Sequence, residues 1–257
     1  MIRHIDFEGV ENFRDFGGYG AAGGRALKTG QLFRSGHHGA ATAADLERLR
    51  DLGIGAIVDL RRTEERRREP SRRWEGFAGQ VIENDLGDSH SDWVDVLRDA
   101  EISEQWFFED SLVFYRRAPF EARHIDLFRR YFRALAEAEA PLVVHCAAGK
   151  DRTGLICALT HRIAGVHEDD VLADYLLTND EARIARRVRP LCDWVQTHVG
   201  RTLTESQARV ALSVHPAYLE TALAEVDARF GSLDGYLEQA LGVDDALRER
   251  ICERVLA

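Results

Sequence analysis

The sequence predicts an α/β protein in which helices flank a mostly parallel central sheet. Two short segments, 54–60 and 142–144, are apolar and rich in β-branched residues, which is typical of strands buried on both faces of a parallel sheet. An amphipathic helical pattern precedes each segment, over 42–52 and over 124–139. The alternation of helices with buried strands is characteristic of α/β layering.

The first fifty residues are predicted to hold short strands followed by a helix. Glycines at the end of the segment 12–20 mark turns, and 32–35 has the composition of a short strand. Thr42 is predicted to begin the helix, because Asp45 follows three residues later in the arrangement of a capping box. Gly53 is suited to end it.

The segment 61–73 is highly charged, with seven arginines and three glutamates. Glu64 and Arg68 lie four residues apart, which is favourable on a helix. A solvated helix face explains the run, and a rim that attracts anions is the alternative.

Residues 81 and 82 begin another short strand. Residues 84–122 are predicted to be irregular, with aromatic side chains that pack on the core or form a wall facing the substrate.

The chain after the second buried strand is predicted to be helical. One helix covers 153–164, and later helices follow over 218–230, 232–241 and 244–256. A capping box over 204–207 and a proline at position 216 support helix starts in this part of the chain. We expect a single domain over 1–257, with an α/β core over 1–180 and a helical cap or lid over 181–257.

Composition excludes several classes of function. The net charge of −10 disfavours a dedicated nucleic-acid binder, which needs a cationic surface. No apolar run approaches the ~20 residues of a membrane span. The first six residues lack the apolar region of a secretory signal, so a cytoplasmic location is expected.

The four cysteines form no Cys-x-x-Cys pair, and none has histidine at zinc-finger spacing. We therefore expect neither a disulfide framework nor a metal site. Cys157, Cys192 and Cys252 are interpreted as core residues. The pair His37 and His38 is interpreted as surface or structural.

The strongest candidate for chemistry is the loop between the second buried strand and the helix after it. Its amides, contributed by Ala147, Ala148, Gly149, Lys150, Asp151 and Arg152, can point inward as a nest for an anion, and the helix N-terminus adds partial positive charge. Arg152 lies six residues after Cys146, so its guanidinium can return to the same point. These groups favour the thiolate of Cys146. The arrangement suits displacement at phosphorus through a phosphocysteine, and it requires no metal or cofactor.

The run from His145 to Gly154 resembles the signature of the protein-tyrosine-phosphatase superfamily, His-Cys-x5-Arg-Ser/Thr. It is most similar to the branch of bacterial atypical tyrosine and lipid phosphatases. Other stretches resemble the same branch, namely 12–18, 32–36, 58–61, 174–179 and 236–242.

The resemblance implies a role for each loop residue. Cys146 would be the nucleophile, Arg152 would clamp the phosphate, and Thr153 would assist the thiolate in the second step. Lys150 would hold a second anionic group, and Asp151 would protonate the leaving oxygen.

The identity of the general acid stays open at this point. The superfamily often uses an aspartate on a separate loop after Trp-Pro, and this sequence has no Trp-Pro-Asp. Asp85 and Asp88, which follow a short strand, are the alternatives to Asp151. Asp59 is expected to hold Arg61 or the loop, and His145 to orient the loop by hydrogen bonding.

We therefore expect a metal-independent phosphomonoesterase. Its substrates would be phosphotyrosine proteins, phosphoserine or phosphothreonine proteins, or phosphoinositides. Cations beside the loop favour the lipid, and the candidates are Lys150, Arg183, Arg186, Arg187 and Arg189, although a solvated helix face also explains the arginine run. A binding module that captures phosphorylated ligands without turnover is the alternative. The sequence does not predict an oligomeric state.

Overall fold

A computed structural model describes residues 3–87 and 93–257 of the chain. The predicted α/β class is confirmed. Five strands form one sheet in the order β1-β2-β5-β3-β4, in which β1 is antiparallel to β2 and all other neighbours are parallel. The strands are β1 (Arg14–Asp15), β2 (Leu32–Ser35), β3 (Ala56–Asp59), β4 (Gln80–Ile82) and β5 (Leu142–His145).

The sheet register determines where the loop after β5 leaves the fold. Strand β5 lies in the centre, and its last residue, His145, pairs with Ser35 of β2 on one side and with Asp59 of β3 on the other. The carboxyl ends of three parallel strands therefore meet at one edge of the sheet. Ligands of open α/β sheets bind at that edge.

Twelve α-helices lie within the described ranges, and the predicted capping boxes at Thr42 and Thr204 are both formed. The helices are α1 (Ala43–Asp51), α2 (Thr63–Arg68), α3 (Trp93–Asp99), α4 (Glu104–Arg117), α5 (Ala122–Glu137), α6 (Asp151–Ile163), α7 (Glu168–Leu176), α8 (Glu181–Val199), α9 (Glu205–Leu212), α10 (Pro216–Phe230), α11 (Leu233–Gln239) and α12 (Asp245–Val255).

The prediction that residues 84–122 are irregular is wrong, because α3 and α4 lie there. Helix α4 is buried on two sides rather than one. Phe107 packs into one apolar cluster, whereas Tyr115 packs into another. A helix that is buried on two faces carries apolar residues around most of its circumference. The 3.6-residue spacing of apolar positions that identifies an amphipathic helix is therefore weak in its sequence. Ser103 accepts a hydrogen bond from the amide of Trp106 and caps the helix.

The helices of the predicted cap over 181–257 pack in two different places. Helices α10, α11 and α12 contribute to the main core with α5 and α6, and a bridge joins Leu27 to Leu256. Helices α8 and α9 instead pack with α3 and the start of α4. We call this second group the helical cluster; its residues include Trp93, Leu97, Trp106, Phe107, Trp194, Val195, Leu203 and Ala208.

No helix in the described ranges is both long enough and apolar enough to cross a membrane.

Candidate active site

The loop between β5 and α6 directs its carbonyls outward and leaves its amides free. The Ala147 carbonyl accepts from the amide of His37, and the side chain of Asn12 donates to the carbonyls of Ala148 and Gly149 at 3.4 and 2.9 Å. The amides of residues 147–150 donate to no acceptor in the part of the chain that the structure describes. A row of unpaired amides at a helix N-terminus is a nest for an anion.

Gly149 is required at the turn of this loop. Its φ is +66°, a conformation that residues with a side chain rarely adopt, and a Cβ there would lie 2.3 Å from the carbonyl of Ser35. Asn12, which holds the Gly149 carbonyl, has a φ of +55° itself. Asparagine tolerates this left-handed conformation better than most residues. The segment before β1 is thus shaped to reach the loop.

The candidate nucleophile and its helper lie at the two ends of this loop. Cys146 is 2% exposed at the carboxyl end of β5. Thr153 is fully buried in the first turn of α6, and its hydroxyl has no hydrogen-bond partner among the described residues. A buried hydroxyl without a partner is energetically costly, and this one is available to a group bound at the loop.

Arg152 is held by a carboxylate that sequence reasoning missed. Its two terminal nitrogens donate to the two oxygens of Glu65 on α2, at 2.5 and 2.7 Å, and one also donates to the Leu60 carbonyl at 3.3 Å. Burial alone would raise the pKa of Glu65, but Arg152 outweighs it and lowers that pKa to about 2. Glu65 is therefore ionised at neutral pH and fixes the plane of the guanidinium.

Asp151 and Lys150 both have partners beside the loop. The Tyr115 hydroxyl donates to Asp151 Oδ1 at 3.1 Å and lies 2.8 Å from the Tyr175 hydroxyl. Lys150 Nζ donates to the Ala211 carbonyl at 2.6 Å and lies 3.7 Å from Asp151 Oδ2. Lys150 therefore joins the loop to the last turn of α9.

A second polar group lies against the loop at the end of β3. Asp59 accepts from the Arg61 side chain with both oxygens, at 2.7–3.2 Å, and lies 3.7 Å from His145 Nδ1. Burial alone would raise the pKa of Asp59, but His145 and Arg61 outweigh it, so that pKa lies well below its usual range. The His145 ring stacks on His38 at 4.8 Å, and His38 Nε2 lies 3.1 Å from the Ser35 hydroxyl.

Burial lowers the pKa of His145 to about 4, although Asp59 opposes the shift. Burial also lowers the pKa of His38 well below its usual range, and His145 adds to the effect. Both rings are therefore neutral at pH 7 and act as packed, hydrogen-bonding supports.

Asp85 lies on the outer side of α2. Its side chain is 78% exposed, and it accepts from the Thr63 hydroxyl at 2.7 Å and from Arg66. The hydrogen bond from Thr63, followed by the charge of Arg66, lowers its pKa. Its partners are on α2, whereas Asp151 is the first residue of α6, directly after the loop. Asp88, the other alternative, lies outside the described residues.

The arginines that were expected to face a lipid headgroup differ in environment. Arg183 is 3% exposed and donates to the carbonyls of Thr178 and Leu212, so it is structural. Arg189 pairs with Asp193 on the surface of α8. Arg186 and Arg187 remain as cations of the α8 surface.

The structure also brings together residues from three of the stretches that carried the resemblance. Arg34 of β2 donates to Asp174 Oδ2 at 2.8 Å and to the Gly149 carbonyl at 3.0 Å, and Arg14 of β1 contacts the same aspartate. An arginine inside a short apolar strand needs a buried acceptor. That pattern, Leu-Phe-Arg-Ser over 32–35, could have identified Arg34 from the sequence.

Comparison with known proteins identifies the family of the chain. The sequence profile of the tyrosine phosphatase family matches residues 5–257, so the chain belongs to that family. It is 33% identical over 254 residues to a candidate tyrosine-protein phosphatase of Cupriavidus necator, covering 95% of this chain and 86% of that protein. It is 31% identical over 275 residues to the triple specificity protein phosphatase PtpB of Mycobacterium tuberculosis, covering 96% of each. A solved structure, P. aeruginosa TpbA, matches with a TM-score of 0.34 and 16% identity, covering 73% of this chain and 89% of that one.

Proposed function

We propose that the chain is a metal-independent phosphomonoesterase that forms a phosphocysteine on Cys146. The observation that carries the proposal is the loop itself. Its carbonyls are bonded outward, its amides at residues 147–150 are unpaired within the described ranges, and Arg152 is held at its end by Glu65. Such a cup fits the equatorial oxygens of a transferring phosphoryl group, which the guanidinium and the amides neutralise.

The first step is an in-line displacement. The thiolate of Cys146 attacks phosphorus while the bond from phosphorus to the ester oxygen breaks. The guanidinium of Arg152 has five N–H donors, and Glu65 and the Leu60 carbonyl accept three hydrogen bonds from it. The two remaining donors match a bidentate contact with the phosphoryl oxygens.

Asp151 is proposed as the general acid. It would give its proton to the leaving oxygen and then take a proton from the water that hydrolyses the phosphocysteine. The Tyr115 hydroxyl anchors one of its oxygens, which leaves the other for proton transfer. In the second step the unpartnered hydroxyl of Thr153 would donate to the departing thiolate.

Phosphotyrosine proteins are the first proposed substrate class, because the chain belongs to the tyrosine phosphatase family. One relative is named a triple specificity phosphatase, so we propose that this chain too accepts more than one class of phosphorylated substrate. Phosphoinositides are the second class. The position of Lys150 beside Asp151 supports this, since a second phosphate could replace the Ala211 carbonyl as the partner of its ammonium.

The function is tested with the Cys146→Ser variant. A serine hydroxyl stays protonated where a thiol ionises, so turnover of p-nitrophenyl phosphate should be lost while phosphate binding survives. Cys157→Ser on α6 is the matched control. Steady-state activity in the variant above a few per cent of wild type would exclude Cys146 as the nucleophile. Wild-type release that stops at one equivalent per chain would favour the non-catalytic binding module.

The substrate is tested with Lys150→Ala on a phosphotyrosine peptide and on a phosphoinositide bisphosphate. A specific contact with a second phosphate would lower kcat/KM for the lipid by about ten- to a hundredfold relative to the peptide, as expected for one charged hydrogen bond. Equal losses on both substrates would contradict the lipid assignment and leave a tyrosine-directed enzyme.

A further inference from the structure

A buried charge cluster lies on the carbonyl side of the loop. It consists of Arg14 on β1, Arg34 on β2 and Asp174 on α7, whose exposed fractions are 0%, 0% and 1%. Arg34 Nη1 lies 2.8 Å from Asp174 Oδ2, and Arg14 Nε lies 3.4 Å from Asp174 Oδ1. Two guanidinium groups therefore share one carboxylate.

The neighbours of the cluster do not supply the missing negative charge. Burial raises the pKa of Cys157 to about 12, raises that of Tyr175 well above its usual value, and lowers that of His161. These groups are therefore neutral at pH 7. His4, Asn12 and Thr178, which also lie against the cluster, are neutral as well. The carboxylates nearby are bound elsewhere: Asp15 by the amides of Gly17 and Gly30, Asp180 by the amide of Arg183, Asp59 by Arg61, and Asp151 by the Tyr115 hydroxyl.

A buried cation without a counter-charge is expensive to keep. Burial, with repulsion from Arg34, lowers the pKa of Arg14 to about 10. Both guanidinium groups still carry their charge at pH 7, so the cluster has one positive charge in surplus. A fold can retain such a charge where a nearby anion neutralises it. The loop that would bind the phosphate lies directly against this cluster.

The two arginines differ in how they reach the loop. Arg34 Nη2 donates to the Gly149 carbonyl at 3.0 Å and lies 3.5 Å from where a Cβ on Gly154 would stand, in the first turn of α6. Its Nε has no partner among the residues described. Among the described residues Arg14 donates no hydrogen bond to the loop; its donors go to Asn12 Oδ1, to Asp174 and to Thr178.

We propose that Arg34 is a positioning residue of the phosphatase, acting through the loop rather than on the substrate. Its hydrogen bond holds the Gly149 carbonyl outward, which keeps the adjoining amides turned to the phosphate. The surplus positive charge of the cluster to which Arg34 belongs stabilises the Cys146 thiolate and the bound dianion. The inference rests on the proposed function, because it assigns the cation to the charge that develops in that cup.

The test compares Arg34→Met with Arg14→Met. Each variant removes one buried cation and leaves one arginine with one aspartate, so both clusters become charge-balanced. Two readouts are used: the pH midpoint of iodoacetamide alkylation, followed by mass spectrometry on the peptide that contains Cys146, and competitive inhibition by inorganic phosphate. Circular dichroism and thermal unfolding establish that each variant is folded.

Arg34→Met should move the alkylation midpoint to higher pH by about one unit, because a nearby positive charge favours the thiolate. It should also weaken phosphate inhibition about tenfold, the size of one charged hydrogen bond. Arg14→Met should produce less than half of each effect. In Arg34→Met, a midpoint within about 0.3 pH unit of wild type together with an inhibition constant within about twofold would overturn the proposal. Equal effects in the two variants would also overturn it.

The Arg34→Lys variant separates the effect of the positive charge from the effect of the hydrogen bonds that position the loop. It also replaces Arg34→Met in the test if that variant does not fold. Lysine keeps the charge but cannot bond Asp174 and Gly149 together in one plane. The alkylation midpoint should then stay near wild type while kcat falls, and a shifted midpoint with unchanged kcat would contradict the proposal. The wild-type protein shows which proposal has failed. If the wild type does not turn over substrate, the proposed phosphatase function is contradicted. If the wild type turns over substrate and the Arg34 variants behave like it, only the positioning role of Arg34 is contradicted.

Discussion

Two regions border the candidate active site, and they are held together by different forces. Behind the loop, buried polar groups form directional contacts, among them Arg34 with Asp174 and Gly149, and Asp59 with Arg61. We call these groups, together with His145 and His38, the polar support. In front of it, the helical cluster of α3, α8, α9 and the start of α4 is joined by apolar contacts such as Trp93 stacked on Trp194 at 5.9 Å.

The difference indicates what each region can contribute. Directional hydrogen bonds fix atoms to a fraction of an ångström, which catalysis at phosphorus requires. Apolar packing is nearly non-directional and tolerates small displacements. The helical cluster reaches the site through few polar contacts, chiefly Lys150 with the Ala211 carbonyl, while Arg68 of α2 lies 5.8 Å from the Trp194 ring. Substitutions in the polar support should therefore change kcat, and those in the helical cluster should change local stability.

The largest effect is expected for Arg152→Lys. A lysine ammonium cannot hold two phosphoryl oxygens in one plane or satisfy both oxygens of Glu65. We expect kcat on p-nitrophenyl phosphate to fall about 10²-fold or more, as for the loss of a preorganised donor. Arg162→Lys, an exposed position on the same helix, is the control. A loss below tenfold would place Arg152 outside the phosphate contact.

Asp151→Asn should have a large effect that depends on the leaving group. Tyrosine and inositol oxygens need a proton to depart, so kcat should fall about 10²-fold or more on a phosphotyrosine peptide. p-Nitrophenolate leaves without a proton, and its kcat should change little. Asp85→Asn is the comparison, because Asp85 is bound to α2 instead of the loop. If Asp151→Asn slows both substrates equally while Asp85→Asn slows only the peptide, Asp85 is the acid.

The polar support should also give the protein a pH-dependent stability. The pKa of His145 is about 4 in the fold against 6.5 when unfolded, so the unfolded chain binds more protons between these values. This contribution is complete above pH 6.5 and is lost as pH falls towards 4; it amounts to about 3 kcal/mol at most. Urea unfolding at pH 7 and pH 4.5 measures it. His145→Asn should flatten the dependence, and an unchanged slope in that variant would assign it to other groups.

The smallest catalytic effect is expected for Trp194→Ala in the helical cluster. The side chain is half-buried, so the loss of stability should be about 1–2 kcal/mol, below that for a fully buried tryptophan. Three of the four tryptophans, at positions 93, 106 and 194, pack in the helical cluster, so tryptophan emission reports on it. The emission of the variant should change at a lower denaturant concentration than its circular dichroism.

Trp74→Ala, in the apolar cluster on the other side of the sheet, is the matched control and should not separate the two transitions. The kcat of Trp194→Ala should stay within about twofold of wild type. A larger fall in kcat would mean that the helical cluster positions the catalytic loop, and the contrast between the two regions would not hold.

The amino-acid sequence by itself determined the layout of the site along the chain. The buried strand over 142–144, the loop with Cys146 and Arg152, and the helix after it follow from local composition and spacing, which act over a few residues. The capping boxes at Thr42 and Thr204 and the core position of Cys157 were predictable for the same reason.

Only the tertiary structure decided which distant groups meet at the loop. Glu65 lies 87 residues before Arg152, and Asp174 lies 140 residues after Arg34, so no local pattern joins them. The helices α3 and α4 escaped prediction because α4 is buried on two faces, which removes the period that a single stripe produces. Lys150 acquired its partner from α9 in the same way. Local propensity selects elements, but burial of charge in a particular place depends on the pairing of strands and helices that only the folded chain brings together.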